Sequence, residues 1–94
     1  MAGIPPMASK VFVINNALGL HARAAAKMIK MARDYQAEVR LLKDGMQVDG
    51  KSILDVLSLC CTKGSTVTLV TIGSDADEAL RAIGLLIEQG FGEE

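Results

Sequence analysis

His21 is the single histidine of the chain, and Arg23 follows two residues later. An imidazole is a nucleophile near neutral pH, and a guanidinium is a permanently charged donor fork suited to phosphate. A helical apolar period sets in just after His21, which puts both residues in the first turn of a helix. Free backbone N–H groups and the positive end of the helix dipole meet there. That setting disfavours positive charge on the ring and stabilises an anion beside it. Nucleophile, anion-binding amides and arginine so close together form a minimal phosphoryl-acceptor site.

Two other groups of residues invite a chemical reading. Ser52-Ile53-Leu54-Asp55 matches the capped start of a helix, with the Ser52 hydroxyl placed to bond an amide near Asp55. Cys60 and Cys61 are adjacent, which is not the C-x₂-C spacing that closes a tetrahedral metal site, and no second histidine exists to help them. The expectation is therefore no metal and no cofactor, with Cys60 on an apolar stripe in the core. Two adjacent cysteines are also no disulfide framework, which predicts a reducing, cytoplasmic setting.

Something must position these residues, and the composition bounds what. Ninety-four residues make one domain; half are hydrophobic but only 3% aromatic, so the core must be aliphatic. The formal charge of −1 argues against a nucleic-acid binder held by overall charge. That total hides a split: residues 1–43 carry +5 and residues 44–94 carry −6. A basic half of this kind predicts a face made for an acidic partner. No 18-residue apolar run exists, so no membrane insertion is expected. The first ten residues lack the apolar stretch of a signal peptide.

Along the chain, residues 1–8 contain Pro5-Pro6 without periodicity and read as a flexible tail, with Met7 an alternative start; residues 9–94 read as the folded domain. Lys10–Ile14 is a first strand and Asn15–Leu20 a loop. A helix follows from His21 to near Tyr35, with Ala22, Ala25, Ala26, Ile29 and Ala32 on its buried face. Residues 37–41 alternate as a second strand, Asp44-Gly45 makes a two-residue hairpin, and Met46–Val48 returns antiparallel. A short second helix carries Ile53, Val56, Leu57 and Cys60. Thr66–Ile72 alternates as a fourth strand, and a third helix follows a Ser74-x-x-Asp77 capping pattern and stops at Gly90. Gly84 within it predicts a close approach. The order is β-α-β-β-α-β-α. It implies an α+β, two-layer open-faced sandwich: a four-stranded antiparallel sheet covered on one face by three helices.

Asn16-Ala17-Leu18-Gly19-Leu20-His21-Ala22-Arg23-Ala24-Ala25 resembles the active-site signature of HPr, the histidine-containing phosphocarrier family of the bacterial phosphotransferase system. Residues 49–59 resemble the regulatory-serine segment of the same family, and Lys63-Gly64-Ser65 also fits. The resemblance runs from about Lys10 to Gln89 and implies the sandwich already derived. It implies that His21 accepts phosphate on Nδ1 from phosphorylated enzyme I and passes it to enzyme IIA domains. Arg23 would orient and partly neutralise the phosphate, and the amides of Ala22 and Arg23 would hold its oxygens. Ser52 would be a regulatory phosphorylation site for an HPr kinase/phosphorylase. Ala26, Lys30, Arg33, Ile53, Leu54 and Leu57 would dock partners.

So small a chain has no room for a cleft, and the expectation is a monomeric carrier without enzymatic turnover of its own. Two departures stand out. Ala24 replaces the family's usual proline in the first helical turn, and Asp55 would repel a phosphate on Ser52. The rival readings are the nitrogen branch of the same system, a regulatory interaction module that transfers nothing, and a small-ligand-binding domain.

Overall fold

The computed structural model describes residues 3–93. β1 (Met7–Val13), α1 (Ala22–Ala32), β2 (Glu38–Lys43), β3 (Met46–Asp49), α2 (Ile53–Ser58), β4 (Thr66–Ile72) and α3 (Ala76–Glu88) follow one another, with a tight turn over Gly90–Gly92. The four strands form one sheet in the order β1-β4-β2-β3, each pair antiparallel. The open-faced α+β sandwich is the fold expected from the sequence.

Alternation explains which face of the sheet is covered. Val67, Leu69 and Thr71 of β4 are buried, as are Val39 and Leu41 of β2, while the residues between them are half-buried. Against this face pack Ala24, Ala25, Met28, Ile29 and Ala32 of α1, Val56 of α2, and Ile83 and Ile87 of α3. Full burial of each larger aliphatic side chain contributes roughly 1.5–3 kcal/mol. Alanine and glycine set how near the helices come. A Cβ on Gly84 would stand 2.5 Å from Cζ of Phe12, so α3 rests directly on the β1 ring.

The turns are local in origin. Asp44 (φ 51°) and Gly45 (φ 80°) both occupy the left-handed region, the backbone of a type I′ hairpin, and Lys43 faces Met46 across it.

Several boundaries move. β1 begins at Met7, so the flexible segment expected over residues 1–8 does not include Met7 and Ala8, which pair with Ile72 and Thr71. Pro5-Pro6 marks the limit, since proline has no N–H to give the ladder; the Pro6 carbonyl still accepts from Gly73 N at 2.8 Å. The expectation for Met1 and Ala2 lies outside the described residues. On α1 the buried face is shifted: Ala24 and Met28 are inside, Ala22 and Ala26 exposed. Cys60 is exposed at φ 51°, because α2 has already ended at Ser58; Cys61 is the buried one, and burial pushes its thiol up. α3 starts from Asp75 instead of Ser74. The Asp75 carboxylate does not cap its own helix but accepts from Gln36 N and Ala37 N, both at 2.8 Å, tying the α1–β2 connection to the start of α3.

Candidate functional site

The loop before His21 is fixed by its own backbone. Leu20 N donates to the Cys61 carbonyl at 2.8 Å and Gly19 N to the Asn16 carbonyl at 3.1 Å. Gly19 holds φ +67°, and a Cβ there would collide with the Cys61 carbonyl. Only glycine satisfies both conditions. Leu20 is buried, so the next residue emerges at the surface in a defined direction.

His21 is the N-cap of α1, with extended backbone (φ −76°, ψ 178°). Its Nδ1 accepts from Arg23 N at 3.3 Å, and the first helical bond runs from Ala25 N to the His21 carbonyl at 2.8 Å. Among the described residues the amides of Ala22 and Ala24 have no partner, whereas the Arg23 amide, expected with Ala22 to hold phosphate, is engaged by Nδ1. Arg23 is exposed, its side chain 67% accessible. The imidazole is partly sunk, its side chain 23% accessible.

One neighbour had no signal in the sequence. The Glu93 carboxylate faces His21 Nε2, with both oxygens at 2.8 Å, and accepts from Arg23 Nε at 3.2 Å and Asn16 Nδ2 at 3.1 Å. Its carboxyl is held well below the usual range, at about 2, chiefly by the hydrogen bond from His21. Bonds from Asn16 and Arg23 add to this, against the opposing cost of desolvation. An ionised carboxylate cannot donate, so Nε2 carries the ring proton and Nδ1 is left with its lone pair. The capping bond from Arg23 N to Nδ1 requires the same tautomer. The electrostatics of the ring are therefore those of a helix start with a carboxylate on its other nitrogen.

Asn16 is buried and gives Nδ2 to two acceptors, the Gly19 carbonyl at 2.8 Å and Glu93. Turning the amide over would set oxygen against oxygen, so its orientation is determined. Asn16 opens the sequence motif, but its role as a brace is visible only in three dimensions.

Four of the six expected docking residues, Ala26, Lys30, Arg33 and Ile53, come together along α1 and the start of α2. Ala26, Ile29, Lys30, Arg33, Asp34 and Ile53 line a shallow groove of about 450 Å³ between α1 and α2. Leu54, next to Ile53 on α2, stands 76% exposed, whereas Leu57 is half-buried against the core. Ser52 caps α2, accepting from Asp55 N at 3.4 Å, and the Asp55 carboxylate turns back to Asp49 N at 3.3 Å. Ser52 is thus at a helix start but not beside His21 in any hydrogen-bonded network. Among the described residues Cys60 and Cys61 join no group of three or more side chains that could hold a metal ion.

The class defined by the described residues is an open-faced sandwich that displays a single histidine at a helix start, with an arginine beside it. The family described as the PTS HPr component phosphorylation site matches residues 8–89. The phosphocarrier protein HPr of Cupriavidus necator is 49% identical over 80 residues, covering 85% of this chain and 90% of its own. The phosphocarrier protein NPr of Shewanella violacea is 41% identical, covering 85% and 88%. A crystal structure of HPr from Thermoanaerobacter tengcongensis superposes with a TM-score of 0.90 at 38% identity, over 93% of this chain and 98% of that one. The chain belongs to the HPr family: it is a phosphocarrier of the phosphotransferase system, not an enzyme with turnover of its own.

Proposed function

We propose that His21 is the phosphoryl acceptor, receiving the group from phosphorylated enzyme I and passing it to enzyme IIA domains. The observation that carries this is the coincidence at one helix start of an Nδ1 that accepts from the Arg23 amide, an Ala22 amide without a partner among the described residues, and the exposed Arg23 guanidinium. The Nδ1 lone pair attacks phosphorus, the donor's P–N bond breaks, and its electron pair returns to the donor ring. The Arg23 amide, now bonded to Nδ1, passes to a phosphate oxygen, and the guanidinium offsets the dianion. Lys30 and Arg33 beside the groove speed encounter with acidic partners, and Ile53, Leu54 and Ala26 supply the apolar contact. The protein works as a monomer in the cytoplasm.

Sugar uptake and carbon regulation are the preferred branch, supported by the 49% identity to the Cupriavidus necator HPr against 41% to the Shewanella violacea NPr. The nitrogen branch uses the same chemistry with another donor and recipient. A module that transfers nothing would need neither His21 nor Arg23. Ser52 is a second modification site, for an HPr kinase/phosphorylase, with Asp55 a repulsive neighbour within the same turn.

Incubation with phosphoenolpyruvate and enzyme I tests the acceptor directly. An acid-labile phosphate should appear on the wild type and not on His21→Ala. A wild type that stays unlabelled with enzyme I from both branches defeats the carrier reading.

A further inference from the structure

Past α2 the chain turns through Cys60 and Cys61, its only cysteines, which the phosphoryl chemistry does not use. Leu59 is the C-cap, and Cys60 follows at φ 51°, the left-handed position after a helix that glycine occupies most readily. A β-carbon is disfavoured there, yet the residue present is an exposed cysteine. Cys61, one peptide further, is buried in the core, and burial pushes its thiol up against the opposing pull of Lys43. The Lys43 ammonium donates to the carbonyls of Leu59 and Cys60, at 3.1 and 3.4 Å. The Cys61 carbonyl in turn accepts from Leu20 N at 2.8 Å and closes off the space beside Gly19. The two thiols therefore sit on the strut of backbone that fixes the loop before His21.

We propose that Cys60 and Cys61 are a reversible oxidation site, closed to a disulfide by hydrogen peroxide and coupled through Cys61 to the loop that presents His21. Cys60 is the thiol that a peroxide in solvent reaches. Its sulfur attacks the peroxide, the O–O bond breaks, and a sulfenic acid forms with release of one water. The Cys61 sulfur then attacks that of Cys60; the S–O bond breaks, and the hydroxyl leaves with the Cys61 proton as a second water. Two electrons pass from the two thiols to the peroxide. Covalent geometry makes the product strained. Consecutive Cα atoms lie about 3.8 Å apart across a trans peptide, short of the roughly 4.4–6.8 Å that an ordinary disulfide spans. The ring closes only if the backbone of Cys60 and Cys61 twists to bring the exposed and the buried sulfur together. That twist acts on the Cys61 carbonyl and so on Leu20. Strain also makes the bond easy to reduce, as suits a transient disulfide where thiols are kept reduced. The consequence for phosphoryl transfer rests on the reading that His21 is the acceptor.

The test treats the whole protein and Cys60→Gly with hydrogen peroxide, removes the peroxide, and compares each with its dithiothreitol-reduced form. Glycine suits the left-handed turn, so Cys60→Gly keeps the fold without the exposed thiol. The tryptic peptide 52–63 carries both cysteines and no methionine. Its mass should fall by about 2 Da in the oxidised wild type, as two hydrogens leave, and return with dithiothreitol. Amide exchange at Leu20 should rise roughly five-fold on oxidation, the weight of one net hydrogen bond. Initial labelling from phosphoenolpyruvate and enzyme I should slow by a similar factor, and Cys60→Gly should respond in neither measurement. A peptide that stays reduced, gains oxygen or links to a second copy overturns the site. A disulfide that leaves Leu20 exchange or labelling unchanged overturns the coupling, as does equal slowing of Cys60→Gly, which would place the damage elsewhere. If the reduced wild type is never labelled, the acceptor reading fails, while peptide mass and Leu20 exchange still decide the oxidation site.

Discussion

The ammonium of Lys27 donates to the carbonyl of Phe91 at 2.8 Å, joining the middle of α1 to the turn that follows α3. The helix that presents His21 and the turn that returns Glu93 are thereby one mechanical unit. Lys27→Met keeps the aliphatic stem and removes this charge-assisted bond, worth about 1.5 kcal/mol where it is well formed. Amide hydrogen exchange at Gly92 and Glu93 should rise in the variant, while exchange in β4 stays as in the wild type.

Gly19→Ala should be far more damaging than its size implies. The new methyl meets the Cys61 carbonyl, and φ +67° is unfavourable for alanine by about 1–2 kcal/mol before that collision is counted. Thermal unfolding should shift down by several degrees, and labelling of His21 should slow because Leu20 can no longer dock against Cys61.

Ala24→Pro asks whether the departure from the family's proline matters. The Ala24 amide has no partner among the described residues, so the ring removes no hydrogen bond. Unfolding free energy should change by less than about 1 kcal/mol, with phosphate acceptance retained. A proline variant that cannot be labelled would show that the first turn of α1 has been rebuilt around alanine.

Acid titration of stability should carry the signature of Glu93. Its folded-state value of about 2 lies below the ordinary 4.5, so the folded protein binds this proton more weakly than the unfolded chain. Stability from this group is complete above pH 4.5 and is lost as pH falls through about 2. Denaturant unfolding between those limits should give a flatter acid limb for Glu93→Gln than for the wild type.

His21 and Arg23 were legible in the sequence because they are two residues apart and their joint meaning depends only on the helix start between them. Thr66–Ile72 and Asp44-Gly45 were legible for the same reason: alternation and turn chemistry are local. β1 began early because an edge strand takes its length from its partner; nothing in Met7-Ala8-Ser9 alternates, but Ile72, Thr71 and Val70 are there to pair with it. The buried face of α1 slipped because alanines at 22, 24, 25 and 26 fit more than one helical register, and the sheet chose Ala24 with Met28. Cys60 left the core because α2 is only six residues long, a length set by the loop that must carry Cys61 to Gly19 and Leu20. Glu93 lies 72 residues from His21, and its approach depends on where Phe91 packs, which no window of sequence contains.

The groove between α1 and α2 runs along α1 from Ala26 to Asp34, on the helix whose first turn presents His21. On the proposed role of His21, a donor and a recipient that both need its imidazole must cover overlapping ground. They exclude each other: the carrier visits them in alternation, and no ternary complex forms. An excess of either partner in its unproductive state then sequesters the carrier from the other, so flux through it depends on the ratio of its two partners as well as on their amounts.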